Sequence, residues 1–180
     1  SAPYYRVDGY WNGAVWMPHQ WFAFLGMLNL GRTDDAAKIA RTALETWKRE
    51  TDETYNCYEH FMIESGRGGG WNNFSGLSCP VINWHNAYFK PGTVSTGFGV
   101  LVTSQDWDEG FTSLEATFEF DKDMQGKETA ILICAHPDRE YEVLINGKKA
   151  VASQDNGLIE LKVKAASRPV SVTVKTGYCR

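Results

Sequence analysis

The chain has 180 residues, enough for one large domain or two small ones. Its formal charge of -4, with no basic run, leaves no electrostatic footprint for nucleic acid or an anionic membrane. No stretch is apolar for long enough to span a bilayer, because residues 14–30 are interrupted by Pro18, His19 and Gln20.

The first informative stretch is Tyr10-Trp11-Asn12-Gly13-Ala14-Val15-Trp16. Trp11 and Trp16 are flat, rigid and apolar, with one polar edge, and suit stacking against a sugar ring. Asn12 adds an amide that both donates and accepts, and Asn12-Gly13 turns the chain where positive φ is tolerated. The same tryptophans also read as core anchors at the mouth of a helix. Aromatic residues make up 13% of the chain, and Trp21, Trp71 and Trp84 follow in the same half, which favours a stacking site.

A helix is expected from about Met17 to Leu30, apolar almost all round and therefore buried on every face, with Pro18 in its first turn and Gly31 closing it. Thr33-Asp34-Asp35 opens a second helix, whose Ala36, Ile39, Ala40, Ala43, Leu44 and Trp47 form one apolar stripe. Residues 54–70 have no period and read as a long loop with its own chemistry. The Gly68-Gly69-Gly70 run lacks the Lys-Ser/Thr of a phosphate loop and permits close backbone approach. A third helix is expected over residues 71–89, with Leu77, Val81, Trp84 and Tyr88 on one side and a kink or late start at Pro80.

After about residue 100 the period becomes two. Leu114, Ala116, Phe118 and Phe120 alternate, as do Tyr141, Val143 and Ile145, then Ile159, Leu161 and Val163, then Val170, Val172 and Val174. Asn146-Gly147 and Asn156-Gly157 mark turns. Five or six such strands predict a small antiparallel β-sandwich. The expected fold is thus α + β in two parts: a partial α/α toroid of about three helices over residues 1–103, then a β-sandwich over residues 104–180.

Glu59 is the leading candidate for chemistry. Tyr58, His60 and Phe61 surround it and suit it to act as a general base on water. A loop carboxylate held by ordinary hydrogen bonds is the competing reading. Glu64 and Asp8 follow in that order. His19, His60 and His85 have no metal-ligand spacing, and Cys57, Cys79, Cys134 and Cys179 form no CxxC pair; free thiols are favoured over the alternative of up to two disulfides. No metal site and no cofactor is expected.

Three segments, in order, carry a family resemblance over roughly residues 8–90. Tyr10-Trp11-Asn12-Gly13-Ala14-Val15-Trp16-Met17-Pro18 resembles the Tyr-Trp-Arg-Gly-x-x-Trp-x-Pro signature of the (α/α)6-barrel glycoside hydrolases, the group of α-glucosidase I, trehalase and mannosylglycerate-hydrolase-like enzymes. Residues 55–61 resemble the segment that carries the general base there, and residues 70–77 the Gly-rich entry to the last inner helix. The resemblance implies an inverting glycoside hydrolase with Glu59 as general base. It implies that Trp11 and Trp16 line the sugar site, and it implies an oligosaccharide or glycoside substrate; Asn12, Gly13, His60 and Trp71 are the further substrate-binding candidates. Asn12 stands where the family has Arg. The family's general acid, an Asp, lies upstream of the first segment, so the resemblance implies an N-terminal polypeptide that completes the barrel. Sugar binding without hydrolysis and a purely structural domain are the alternatives.

Overall fold

The computed structural model describes residues 3–7 and 9–177. The chain divides into two compact units, Ser1–Phe24 with Asp34–His85, and Leu25–Thr33 with Asn86–Arg180. Helical elements fill much of the first part of the chain and antiparallel sheets the rest, which is the fold class expected from the sequence.

The early elements are β1 (Ala14–Val15), α1 (Met17–Asn29), α2 (Thr33–Thr54), β2 (Tyr58–Met62), β3 (Gly68–Asn72), α3 (Ser75–Ser78) and α4 (Pro80–Phe89). Helix α1 ends where Gly31 adopts φ +65°. There the Gly31 N–H bonds the Leu28 carbonyl at 3.0 Å and the Arg32 N–H bonds the Met27 carbonyl at 2.9 Å, which satisfies two of the helix's last carbonyls. Helix α2 buries Ala36, Ala40 and Ala43 on the predicted stripe.

The expectation that α1 is buried all round is wrong. Met17, Phe24 and Leu28 are buried, but Phe22 is 55% exposed and Leu30, just past the helix, 67% exposed. A hydrophobic helix buries only the faces that some other element covers. Gly26, on the same helix, has open space where a side chain would begin. Gly26→Ala is therefore expected to stabilise the chain by about 0.5–1 kcal/mol through helix propensity, read from a denaturant titration.

The long loop expected over residues 54–70 and the helix start at Trp71 are also corrected. Residues 58–62 and 68–72 form a hairpin, and β1 adds a third strand in the order β1-β2-β3. Tyr58 pairs with Asn72 and His60 with Gly69, so the single Glu59 faces two residues, Gly70 and Trp71. This bulge hides the strand period, and Gly70 supplies its φ of +72°. The helix begins late, at Pro80.

The second part holds β4 (Thr93–Thr96), β5 (Val100–Trp107), β6 (Ser113–Phe120), β7 (Glu128–Cys134), β8 (Tyr141–Ile145), β9 (Lys148–Lys149), β10 (Ser153–Asp155), β11 (Leu158–Lys164) and β12 (Val170–Thr176). They form one sheet in the order β10-β11-β7-β4 and another in the order β5-β6-β12-β8-β9, with every pair antiparallel. Leu114, Phe118, Val143, Val172 and Val174 of one sheet pack with Ile131, Ile133, Ile159, Leu161 and Val163 of the other, a sandwich core. Strand β7 is buried on both faces: Leu132 and Thr129 are fully covered, and the Thr129 hydroxyl donates to the Leu28 carbonyl at 3.2 Å. Asn146-Gly147 and Asn156-Gly157 each have two successive positive φ values, as two-residue hairpin turns require. The strands absent from the sequence reading are short or lie at sheet edges, where alternation is weak. Phe118→Ala, at the centre of this core, is expected to cost about 3–5 kcal/mol, measured by chemical denaturation.

Candidate active site

The three-stranded sheet and the turn before β1 bring Tyr10, Glu59, His60, Gly70, Trp71 and Phe74 around one open cleft of about 440 Å³. The turn is held by backbone bonds: the Gly9 N–H donates to the Arg6 carbonyl at 2.9 Å and the Ala14 N–H to the Gly9 carbonyl at 2.9 Å. Gly13 does not use a positive φ here. It is required because a Cβ would overlap the Arg6 carbonyl.

Glu59 is mostly covered, its side chain 13% exposed. The Tyr10 hydroxyl donates to Oε1, and the Trp71 backbone N–H donates to Oε2 at 3.3 Å. The bulge is what frees the Trp71 N–H for this bond. His60 is buried at 5% exposure, with Nδ1 3.9 Å from Glu59 Oε2 and without a hydrogen-bond partner for Nδ1 among the described residues. The three glycines fit against this strand. A Cβ on Gly68 would overlap the Tyr58 ring, one on Gly69 would meet His60 Nε2 at 2.9 Å, and one on Gly70 would overlap Glu59 Oε2. Close backbone approach is thus what the glycine run provides.

The aromatic residues form a connected set. Trp11 stacks on Trp16 with ring centroids 4.5 Å apart and planes 12° from parallel. Trp16 is buried and tilts against His60 at 5.1 Å, while its indole N–H donates to the Tyr10 carbonyl at 2.8 Å. Trp11 and Trp71 are 69% and 74% exposed. They present apolar faces to solvent, as a sugar-stacking surface requires.

Of the residues singled out by sequence, Glu59, His60 and Trp71 line the cleft, Trp16 backs it, and Trp11 covers Trp16. Asn12 is used otherwise, its amide donating to the Tyr4 carbonyl, and Gly13 serves the turn. Glu64 lies in the β2–β3 turn and accepts a 3.5 Å bond from the Tyr5 hydroxyl. His19 packs edge-on to Trp11 at 5.9 Å, and His85 sits exposed on α4. Asp8 and Cys179 lie outside the described residues. Cys57, Cys79 and Cys134 are free thiols, and burial pushes the Cys134 thiol up to about 11. Among the described residues no group of His, Cys, Asp and Glu could hold a metal ion, and no helix is long and apolar enough to cross a membrane. The residue that sequence reasoning passed over is Tyr10. It was visible inside the first motif, but its bond to Glu59, 49 residues away, exists only in the fold.

Behind the cleft a second polar cluster braces the sheet. Arg67 Nε meets the buried Glu50 at 2.8 Å, and the guanidinium also bonds Glu53, which ties β3 to the end of α2. The Glu53 hydrogen bond is the main cause that holds Arg67 above its ordinary pKa.

An oriented carboxylate and a buried imidazole on one small sheet, with exposed indoles on it and on the turn before it, fit carbohydrate chemistry. Residues 1–75 match the family model described as the mannosylglycerate hydrolase MGH1-like glycoside hydrolase domain. Over these residues the chain is similar to the mannosylglycerate-hydrolase-like group of glycoside hydrolases.

Proposed function

We propose that this chain supplies the general base and part of the sugar-holding surface of an inverting glycoside hydrolase that acts on an α-linked glycoside. The observation that carries the reading is Glu59, a carboxylate with one donor on each oxygen, at the wall of an open cleft beside exposed Trp71. Glu59 takes a proton from a water molecule as that water attacks the anomeric carbon. The leaving oxygen receives its proton from a carboxylic acid on the opposite face of the sugar, about 6.5–9.5 Å from the base in enzymes that invert. Among the described residues lining the cleft Glu59 is the one carboxylate. In this reading the acid is an Asp carried by another polypeptide segment of the intact catalytic domain.

The same reading makes the helical part the closing portion of an (α/α)6 barrel and the strand part a separate sandwich domain. The exposed apolar side chains Phe22 and Ile82 support it, since they form the kind of surface that neighbouring barrel helices cover. The first substrate to test is mannosylglycerate, taken from the family description. The experiment is hydrolysis by the intact enzyme followed by proton NMR, with the β-anomer of the released sugar as the first product. An α-anomer first would sink the inverting mechanism.

The exposure of Trp11 and Trp71 also favours a second reading, sugar binding without hydrolysis. Quenching of Trp fluorescence by a glycoside that stays intact on prolonged incubation with the intact enzyme would favour it.

A further inference from the structure

We infer that Tyr10 is the positioning residue of Glu59, holding its carboxylate in a single rotation through a hydroxyl that the surrounding rings fix in place. The inference rests on the general-base reading of Glu59.

Tyr10 is clamped on several sides. Its ring packs edge-on against Trp11 at 5.2 Å, Trp16 at 4.8 Å and His60 at 5.4 Å. Its carbonyl is tied down by the Trp16 indole N–H at 2.8 Å. A phenol held this way gives up little further freedom when it bonds a carboxylate. Its target is tied as well, because the Trp71 N–H occupies the other oxygen of Glu59. Two donors, one on each oxygen, prevent the carboxylate from turning about its last bond. Each oxygen still has lone-pair capacity for a water molecule.

Tyr10 itself is held above the ordinary phenol value, first by the hydrogen bond to Glu59, then by burial and the Glu59 charge, so it remains a donor. The titratable groups that the described residues place against Glu59 are Tyr10, from the turn, and His60, from β2. Strand β3 presents Gly70 and Trp71 there, with no titratable side chain. Removing the hydroxyl leaves the ring contacts in place and takes away one of the two donors.

The test is Tyr10→Phe in the intact enzyme, beside Glu59→Gln, with mannosylglycerate or an α-glycosyl fluoride as substrate. The expected result is a kcat lower by about 10–100-fold with KM changed less than about twofold. A kcat like that of the unaltered enzyme, with Glu59→Gln inactive, would overturn the role of Tyr10 and leave the base assignment standing. A raised KM at unchanged kcat would overturn it too, making Tyr10 a substrate contact. An active Glu59→Gln enzyme would remove the base reading and this inference with it. Should Tyr10→Phe fail to fold, the ¹³Cζ signal of Tyr10 gives a second readout. Its alkaline titration should fall toward the ordinary phenol value in Glu59→Gln, and a midpoint that does not move would overturn the proposal.

Discussion

Replacing Glu59 by Gln in the intact enzyme is expected to lower turnover by about 10³-fold or more while the protein stays folded. Removal of a general base typically costs 10²–10⁴-fold, and among the described residues no other carboxylate lines the cleft to take the role. The amide keeps the size of the side chain and one acceptor oxygen, so either the Tyr10 hydroxyl or the Trp71 N–H retains a partner. It cannot accept a proton from water. Binding should change little, because Trp11 and Trp71 present their faces independently of that charge. The measurement is kcat and KM for mannosylglycerate hydrolysis, together with a thermal melt to show that the fold is kept. Loss of kcat at constant KM is the pattern of an interaction made in the transition state. A loss confined to KM would assign Glu59 to holding the sugar.

The parts of this fold legible in sequence are those where side-chain period and chain direction agree. In the sandwich, Leu114, Ala116 and Phe118 alternate inward, and Val170, Val172 and Val174 oppose them on the neighbouring strand. Asn146-Gly147 and Asn156-Gly157 then fix where the chain reverses. Helix α2 is legible through its alanine stripe. The three-stranded sheet is not legible. Strand β1 has two residues, β2 buries the consecutive His60 and Phe61, and β3 begins with three glycines that carry no pattern. Its identity as a sheet comes from pairing between distant segments, and a one-residue bulge removes what alternation remained. The same limit applies to the candidate site. Glu59, His60, Trp16 and Trp71 stand in segments with visible chemistry, so the residues could be named. Their mutual geometry depends on the hairpin and on the turn before β1. Tyr10 therefore carries its full meaning only once the fold sets it against Glu59. Asn12, a residue type suited to sugar hydroxyls, is instead used to close the turn on Tyr4.

Gly70→Ala is the second change expected to have a large effect, because one methyl group disturbs the backbone and the carboxylate together. Gly70 has φ +72°, a conformation that costs a non-glycine residue about 1–3 kcal/mol. Its Cβ would overlap Glu59 Oε2 and come within 2.8 Å of His60 Cε1 and 3.0 Å of Glu59 Cβ. Neither neighbour can yield freely. Glu59 is pinned by Tyr10 and Trp71, and buried His60 is packed against the rings of Tyr10 and Trp16. The strain is relieved either by turning the carboxylate or by opening the bulge, and both move the oxygen that takes the proton in the proposed mechanism. A displacement of about 1 Å at a reacting group can cost about 10²-fold in rate, so kcat should fall by about that much. The melting temperature should also drop, which Glu59→Gln should not cause. Gly76→Ala is the control: its Cβ would meet only Phe74 Cε1, at an ordinary 3.8 Å, and Gly76 lies in α3. It should leave both kcat and the melt unchanged. If Gly70→Ala behaved like that control, the bulge would not be what sets the carboxylate, and the orientation of Glu59 would have to come from Tyr10 alone.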